Sequence, residues 1–323
     1  MYALPVLLSG VPSLVLSKAD TLILHNHYKN MLRMIMKLPS RTPEPAIFFL
    51  SGSMPIEAYI HLRQLSLFAM ICQKKDNILC SIASAILCDA KPSVSSWFQT
   101  IRSHCVTYNL PHPLHLLESP PERKKFKIMC KEKVHEFWRN KLIVSLKSLP
   151  SLSSLKPEYL SLKHPHPVWT SLDSNPYQAK AARIQALFLS GRYMSERFSR
   201  FWSKNPEGFC ILDQCIDLKI FDDYSHILLH CQSLSDERRR LFLLMETIIA
   251  AKPFLQSIWL ECFLSADDTT KLQFLLDCST IPVIMRAHQL HGDSILAELF
   301  KATRTWCRAI HVARSRKLGR WLD

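Results

Sequence analysis

Residues 210–215 read Cys-Ile-Leu-Asp-Gln-Cys, and residues 221–231 read Phe-Asp-Asp-Tyr-Ser-His-Ile-Leu-Leu-His-Cys. Cys210, Cys215, His226 and Cys231 therefore follow the spacing C-x4-C-x10-H-x4-C. Thiolates and imidazoles are ligands that zinc prefers, and a closed shell of four such ligands is typical of a structural zinc site. We therefore expect one structural zinc ion here, with a small element folded around it.

The identity of the fourth ligand is open at this point. His226 and His230 are four residues apart and would share one face of a helix, so His230 could replace Cys231. The alternative to a metal site is a group of ordinary buried cysteines with a capping histidine, because a free cysteine packs like a small apolar side chain.

The composition favours a polyanionic partner. The chain has 323 residues, of which 48% are hydrophobic, enough to form one large core or several small ones. Lys and Arg number 41 against 27 Asp and Glu, which gives a formal net charge of +14 at pH 7. We therefore expect RNA or single-stranded DNA as the partner, and no small-molecule substrate.

The cysteine content and the N-terminus favour the nucleus or the cytoplasm. Eleven cysteines are an odd number without a disulfide framework spacing, which fits a reducing compartment. The apolar residues 3–16 lack a basic region and are interrupted by Pro5, Gly10 and Pro12, unlike a signal peptide. No apolar run reaches the roughly 20 residues of a membrane-spanning helix. We expect a protein that is neither secreted nor in a membrane.

The periodicity of apolar residues predicts a mostly α-helical fold. Helices are expected at 18–38, 56–72, from 97, from 123, and at 241–250, 254–264, 269–278, 283–290 and 294–317. Residues 43–55 are interpreted as a connector around the short apolar run 46–50, and residues 148–177, rich in Ser, Pro and His, as an extended linker. The chain has only six glycines and neither G-x-G-x-x-G nor G-x-x-x-x-G-K-[ST], which excludes phosphate loops of those types.

We expect four segments along the chain. Residues 1–115 form a helical module, and residues 116–180 form a basic helix followed by the linker. Residues 181–245 hold an aromatic and basic helix with the Cys/His element, and residues 246–323 form a C-terminal helical region.

Two basic stretches are candidates for nucleic-acid contacts. On the predicted helix 18–38, Lys29, Arg33 and Lys37 recur every four residues. Before the Cys/His group, cations alternate with rings at Arg192, Tyr193, Arg197, Arg200 and Trp202. Cations hold phosphates, and flat rings stack on unpaired bases. The alternatives are a solvated surface ridge for the first stretch and an amphipathic helix that covers a core for the second.

Four further stretches carry a family resemblance: residues 4–14 (Leu-Pro-Val-Leu-Leu-Ser-Gly-Val-Pro-Ser-Leu), 38–43 (Leu-Pro-Ser-Arg-Thr-Pro), 62–67 (Leu-Arg-Gln-Leu-Ser-Leu) and 190–193 (Ser-Gly-Arg-Tyr) with Phe201-Trp. With the Cys/His group, their order resembles the region behind the polymerase palm in jockey-like reverse transcriptases of non-LTR retrotransposons. The resemblance covers nearly the whole chain. It implies a thumb-like module in residues 1–115 and a C-terminal Cys/His motif at Cys210, Cys215, His226 and Cys231.

The chain departs from that family in its aspartates. Reverse transcriptases hold two Mg²⁺ ions on paired aspartates of a strand hairpin with a third aspartate nearby. The Asp-Asp pairs here are Asp222-Asp223, inside the Cys/His group, and Asp267-Asp268, which precedes a predicted helix as its N-cap. We therefore expect a truncated element without a catalytic palm, with no catalytic residues and no enzymatic activity of its own.

The alternative from another class is a helical protein-interaction module that binds neither nucleic acid nor zinc. Its basic faces would be solvated, and its cysteines would belong to the core.

Overall fold

The protein is mostly α-helical in a computed structural model that describes residues 3–74, 78–88, 96–196, 205–250, 253–291 and 294–319. Within these ranges there is no β-sheet, and the extended backbone is limited to one antiparallel bridge between Phe209 and Phe221. The mostly α prediction is confirmed.

The helices, in chain order, are α1 (Ala3–Leu7), α2 (Lys18–Ile35), α3 (Glu44–Ser51), α4 (Ile56–Cys72), α5 (Ile78–Cys88), α6 (Trp97–Thr107), α7 (Pro113–Glu118), α8 (Arg123–Lys147), α9 (Pro167–Thr170), α10 (Pro176–Leu189), α11 (Ser235–Ala250), α12 (Pro253–Trp259), α13 (Asp268–Asp277), α14 (Pro282–His291) and α15 (Ser294–Lys317). Short 3₁₀ and π turns lie between them, including the π turns His226–His230 and Leu260–Leu264. In the described chain, none of these helices is both long and apolar enough to cross a membrane.

The chain divides into two compact units. The first comprises Met1–Leu32 and Ser53–Ser145, and the second comprises Arg33–Gly52 and Leu146–Asp323. This division cuts across the four expected segments, because residues 33–52 belong with the C-terminal half of the chain. Each unit is described separately below.

Two predicted helix starts have side-chain caps. The Ser17 backbone N–H donates to Oδ2 of Asp20 (3.3 Å), and the Asp20 N–H donates to Oγ of Ser17 (3.1 Å). This reciprocal pair is a capping box at the start of α2. At the start of α13, Oδ1 of Asp267 accepts from the Thr270 N–H (2.9 Å), so Asp267 is an N-cap as predicted.

Helix α2 ends three residues before the predicted position. Lys37 has a left-handed backbone with φ of 51°, and the Leu38 N–H donates to the Arg33 carbonyl (3.0 Å). This arrangement is a Schellman motif, which satisfies carbonyls at the end of the helix. Lys37 therefore lies beyond the helix and does not continue the face that carries Lys29 and Arg33.

A polar network lies inside the first unit, between α4, α6 and α8. The Tyr108 hydroxyl accepts from the Trp138 indole (3.0 Å) and lies 2.6 Å from Nδ1 of His61. Nε2 of His104 lies 2.8 Å from Oε1 of Gln64. The two imidazole rings are 3.8 Å apart. Burial lowers the pKa of His61 to about 3, with further contributions from His104 and Lys141, and burial lowers the pKa of His104 to about 4. Both rings are therefore neutral at pH 7, so these two histidines add no charge to the core.

Residues 148–177 are not an extended linker, and that prediction is wrong. Leu152, Leu155, Leu160 and Leu162 are all buried in the second unit. Two 3₁₀ turns, Pro150–Leu152 and Pro157–Tyr159, fold the segment so that these leucines share one core. The composition misleads here because proline and serine start turns as readily as they form linkers.

Helix α3 replaces the connector that was predicted around residues 46–50. Its side chains from Pro45 to Leu50 are buried. Pro45 lies in the first turn, where it removes no helical hydrogen bond, and Gly52 ends the helix with φ of 64°. A short apolar run between prolines cannot be assigned to helix or strand by periodicity.

We expect Gly52→Ala to destabilise the second unit strongly. An added Cβ would lie 2.1 Å from the His164 carbonyl carbon, and the positive φ adds strain. We expect a loss of about 3 kcal/mol or more in the free energy of unfolding, measured by denaturant titration. The control is Gly10→Ala, which has φ of +78° but open space around its Cβ, so it should lose only about 1 kcal/mol. Equal losses would show that the contact with His164 is unimportant.

Candidate metal centre

The four predicted ligands converge in the second unit. The ligand atoms of Cys210, Cys215, His226 and Cys231 all lie within 4.8 Å of one another, and all four residues are buried. Sγ of Cys215 lies 3.7 Å from Sγ of Cys231, and these cysteines form no disulfide. This Cys3His cluster could hold a metal ion.

Local backbone bonds place the first two cysteines. The Cys210 N–H donates to the Ile220 carbonyl (2.8 Å), and the Cys215 N–H donates to the Leu212 carbonyl (2.7 Å). The chain turns back after Cys215 through a 3₁₀ turn that ends at Lys219, which has φ of 49°. A tight loop therefore presents both sulfurs to the same point.

A π turn places the other two ligands. The Cys231 N–H donates to the His226 carbonyl (2.7 Å), which closes a turn of five residues. The His226 N–H donates to Oδ1 of Asp223 (2.9 Å). The hydrogen bond that spans five residues therefore places Cys231 as the fourth ligand. The alternative, His230, assumed the four-residue spacing of a regular α-helix.

His230 does not belong to the cluster. Its side chain is half exposed, and Nε2 lies 2.5 Å from Oδ2 of Asp268. The structure therefore places Cys231, and not His230, with the other three ligands. Asp268 begins α13 beside the capping Asp267, an arrangement unlike a polymerase strand hairpin.

The donor set suits a cation. Neither ring nitrogen of His226 has a hydrogen-bond partner among the described residues, although both are buried. A buried polar atom without a partner is costly, and a bound cation would satisfy one of the two nitrogens. The Cys231 side chain, followed by burial, raises the pKa of the Cys210 thiol, so the thiolate form requires a compensating positive charge nearby.

Arg238 supplies part of that positive charge. Burial lowers the pKa of its guanidinium, and the nearby sulfurs of Cys231 and Cys215 offset part of that effect. Three thiolates exceed the charge of one divalent cation, so a neighbouring arginine stabilises the complete cluster. Arg238 was not predicted as a functional residue; it lies seven residues after the last ligand in a run of three arginines.

A buried ion pair anchors the segment between the ligands. Nη2 of Arg314, on α15, lies 2.5 Å from Oδ2 of Asp222, which also accepts from the Glu196 N–H (2.6 Å). Nη1 of Arg314 donates to the Met194 carbonyl (3.0 Å). All three charged side chains are buried. The C-terminal helix therefore holds the loop that precedes His226.

The first basic stretch does not form a single helical ridge. Lys29 and Arg33 are half-buried on α2, and Arg33 donates through Nη1 to the Leu38 carbonyl (3.3 Å). Lys37 is exposed but lies beyond the end of the helix. Lys29 belongs to the first unit, and Arg33 and Lys37 belong to the second.

Tyr193, in the second basic stretch, is not available to stack on a base, and that prediction is wrong. The residue is 3% exposed, and its ring stacks on Phe188 with centroids 3.8 Å apart. Its hydroxyl lies 3.2 Å from Nδ1 of His311. Arg192 is half-buried, and burial lowers the pKa of its guanidinium. The remaining candidates, Arg197, Arg200 and Trp202, lie outside the described residues.

Comparison with known proteins identifies no relative. No protein family, no curated protein and no solved structure matches the chain. The resemblance to jockey-like reverse transcriptases therefore stays a prediction, and the function is inferred from the geometry and the charge of the molecule.

We expect Arg314→Met to destabilise the second unit. Loss of the guanidinium removes the cation that pairs with the buried Asp222, and removing one partner of a buried pair costs about 3–5 kcal/mol. Denaturant titration measures the effect. The control is Arg316→Met on the same helix, where the side chain is exposed and the change should be within about 0.5 kcal/mol of the parent. Similar losses in both variants would contradict the anchoring role.

Proposed function

We propose that the chain binds one structural zinc ion through Cys210, Cys215, His226 and Cys231 and that it binds RNA or single-stranded DNA. The observation that carries the zinc proposal is the buried Cys3His cluster with an imidazole that has no hydrogen-bond partner in the described chain. Four protein ligands close the coordination shell, so the ion has no open position for a catalytic water.

The spacing of the sulfurs supports zinc. Zinc binds thiolates at about 2.3 Å in a tetrahedron, which requires sulfurs about 3.8 Å apart. The Cys215 and Cys231 sulfurs are 3.7 Å apart. The ligands lie in a segment with no helix longer than five residues among its described positions 205–234. A metal ion would hold such a segment in place where regular backbone hydrogen bonding is scarce.

The charge of the chain supports a nucleic-acid partner. The net charge is +14, and helix α8 exposes Arg123, Lys124, Lys127 and Lys131 within two turns. Helical spacing places Lys124, Lys127 and Lys131 on one face, where they can follow a phosphate backbone. Such contacts are independent of base sequence, so low sequence specificity is expected.

The family resemblance supports a specific origin for this binding. In this proposal these residues are the thumb and Cys/His tail of a non-LTR retrotransposon reverse transcriptase, and they have no polymerase activity of their own. The N-cap role of Asp267 supports the second part, because that carboxylate is already used by the Thr270 N–H. Zinc thiolates are stable in reducing surroundings, consistent with the nucleus or the cytoplasm.

The second candidate function is a protein-interaction module. The observation that favours it is the burial of Tyr193, which makes one predicted nucleic-acid residue part of the core. Leu22 and Ile23 on α2, in the first unit, are more than half exposed. Exposed apolar side chains of this kind can contact another protein.

We expect about one zinc ion per purified chain, because the cluster supplies four ligands to a single site. Elemental analysis of protein prepared without chelator measures the ratio. Cys215→Ser should lower it well below one. His230→Ala is the matched control and should retain the metal, since His230 lies outside the cluster. A folded parent protein without zinc would contradict the proposal, and so would loss of zinc in His230→Ala alone.

We expect binding to single-stranded RNA that weakens steeply with salt. Each phosphate contact releases a counterion, so affinity should fall by about tenfold or more between about 50 and 200 mM salt. Fluorescence anisotropy with a labelled oligonucleotide measures the affinity. A protein-interaction module would give no binding, or an affinity that barely responds to salt.

A further inference from the structure

A cavity of about 320 Å³ opens in the second unit beside the metal centre. Its apolar lining comes from Leu229, Phe242, Phe263, Leu264 and Trp306. Pockets of about 300–1,000 Å³ lined mainly by apolar and aromatic side chains are typical ligand sites. The volume is sufficient for one flat aromatic group.

The aromatic wall of this cavity is held in place by its own contacts. Phe263 stacks on Trp259, with ring centroids 4.4 Å apart and planes 10° from parallel, and meets the edge of Trp306 at 5.6 Å. The Trp306 indole donates to the Leu228 carbonyl (3.3 Å). Phe242 is half-buried, so part of its ring faces the opening. A ligand would therefore meet a preformed surface, which lowers the entropy lost on binding.

The rest of the lining is positively charged. Arg238, Arg239 and Lys271 line the cavity, and its described lining contains no carboxylate. Nη1 of Arg238 is buried and has no hydrogen-bond partner in the described part of the chain. Nearby, Oδ2 of Asp268 lies within hydrogen-bond distance of Nε2 of His230. The cavity thus combines an apolar aromatic wall with an anion-binding rim.

We propose that this cavity takes one unpaired nucleotide of a bound RNA or single-stranded DNA, with its base against the half-buried ring of Phe242. Its phosphate lies between Arg239 and Lys271 at the rim. A base is flat and apolar on its faces, and the adjoining phosphate is an anion, so one nucleotide matches both halves of the lining. This inference rests on the proposed nucleic-acid binding and specifies where a base is held.

The metal centre supports one wall of the cavity. Leu229 and His230 lie between the ligands His226 and Cys231, inside the π turn. Arg238 faces both the cavity and the sulfurs of the cluster. Metal binding therefore shapes the site without contacting the nucleotide.

The rim is tested with two neighbouring arginines. The full chain is titrated against a fluorescent single-stranded oligouridine, and affinity is measured by anisotropy. Arg239 lines the cavity, whereas Arg240 points elsewhere and pairs with Glu237 at 3.8 Å. Arg239→Ala should weaken binding about five- to tenfold and reduce the salt dependence, whereas Arg240→Ala, with the same change in charge, should alter it less than about twofold.

The base contact is tested at Phe242. Phe242→Leu keeps an apolar side chain but removes the flat ring, and it should weaken binding by about tenfold. Phe242→Tyr keeps the ring and should bind nearly as the parent does. Thermal unfolding of both variants checks that the fold is intact, and the arginine pair provides a test that does not depend on a core substitution.

The outcomes distinguish failure of the cavity proposal from failure of the proposed nucleic-acid binding. If Arg239→Ala and Arg240→Ala weaken binding equally, the cavity proposal is overturned while nucleic-acid binding stands. If the arginines differ but Phe242→Leu binds as the parent does, the base is not in the cavity and the proposal is again overturned. A parent chain that does not bind oligouridine at low salt overturns the proposed nucleic-acid function itself, and the cavity proposal with it.

Discussion

The buried ion pair between Arg314 and Asp222 joins the irregular Cys/His segment to the helical core of the second unit. Charges taken out of water must be paired, and here one guanidinium pairs with Oδ2 of Asp222, lies near Glu196 and donates to a backbone carbonyl. A second buried arginine of α15 acts similarly, because Arg304 donates to the carbonyl and hydroxyl of Ser171 after α9. The C-terminal helix thus supports two segments that have little regular structure of their own.

The elements that local rules determine were predictable from the sequence. Ser17 and Asp267 mark helix starts because their side chains satisfy N–H groups within the first turn. The long helices α4, α8 and α15 carry apolar periodicity over many turns. The Cys/His cluster was also predictable, because two pairs of ligands are close in the sequence and each pair needs only one turn to converge.

The features that depend on distant partners were not predictable. Alternating cations and rings are typical both of a nucleic-acid-binding surface and of a helix that covers a core. The Tyr193 ring is buried because it packs against Phe188 and Tyr224. Asp222 had no apparent role in the sequence, since its partner is 92 residues away. Gly52 ends α3 against the backbone of His164, a contact that composition cannot reveal. In each case the deciding group lies far away along the chain.

The metal centre and the cavity are linked through Arg238. With zinc bound, three thiolates and one divalent ion carry a net charge of −1, and the guanidinium beside Cys215 and Cys231 balances it. Arg239 and Lys271 then remain free to attract an external anion at the cavity rim. Without a metal ion, the π turn that carries Leu229 and His230 would lose its restraint. In the proposed complex, a zinc ion would therefore contribute to nucleotide binding through the shape and charge of the wall, although the ion itself would be closed to any further ligand.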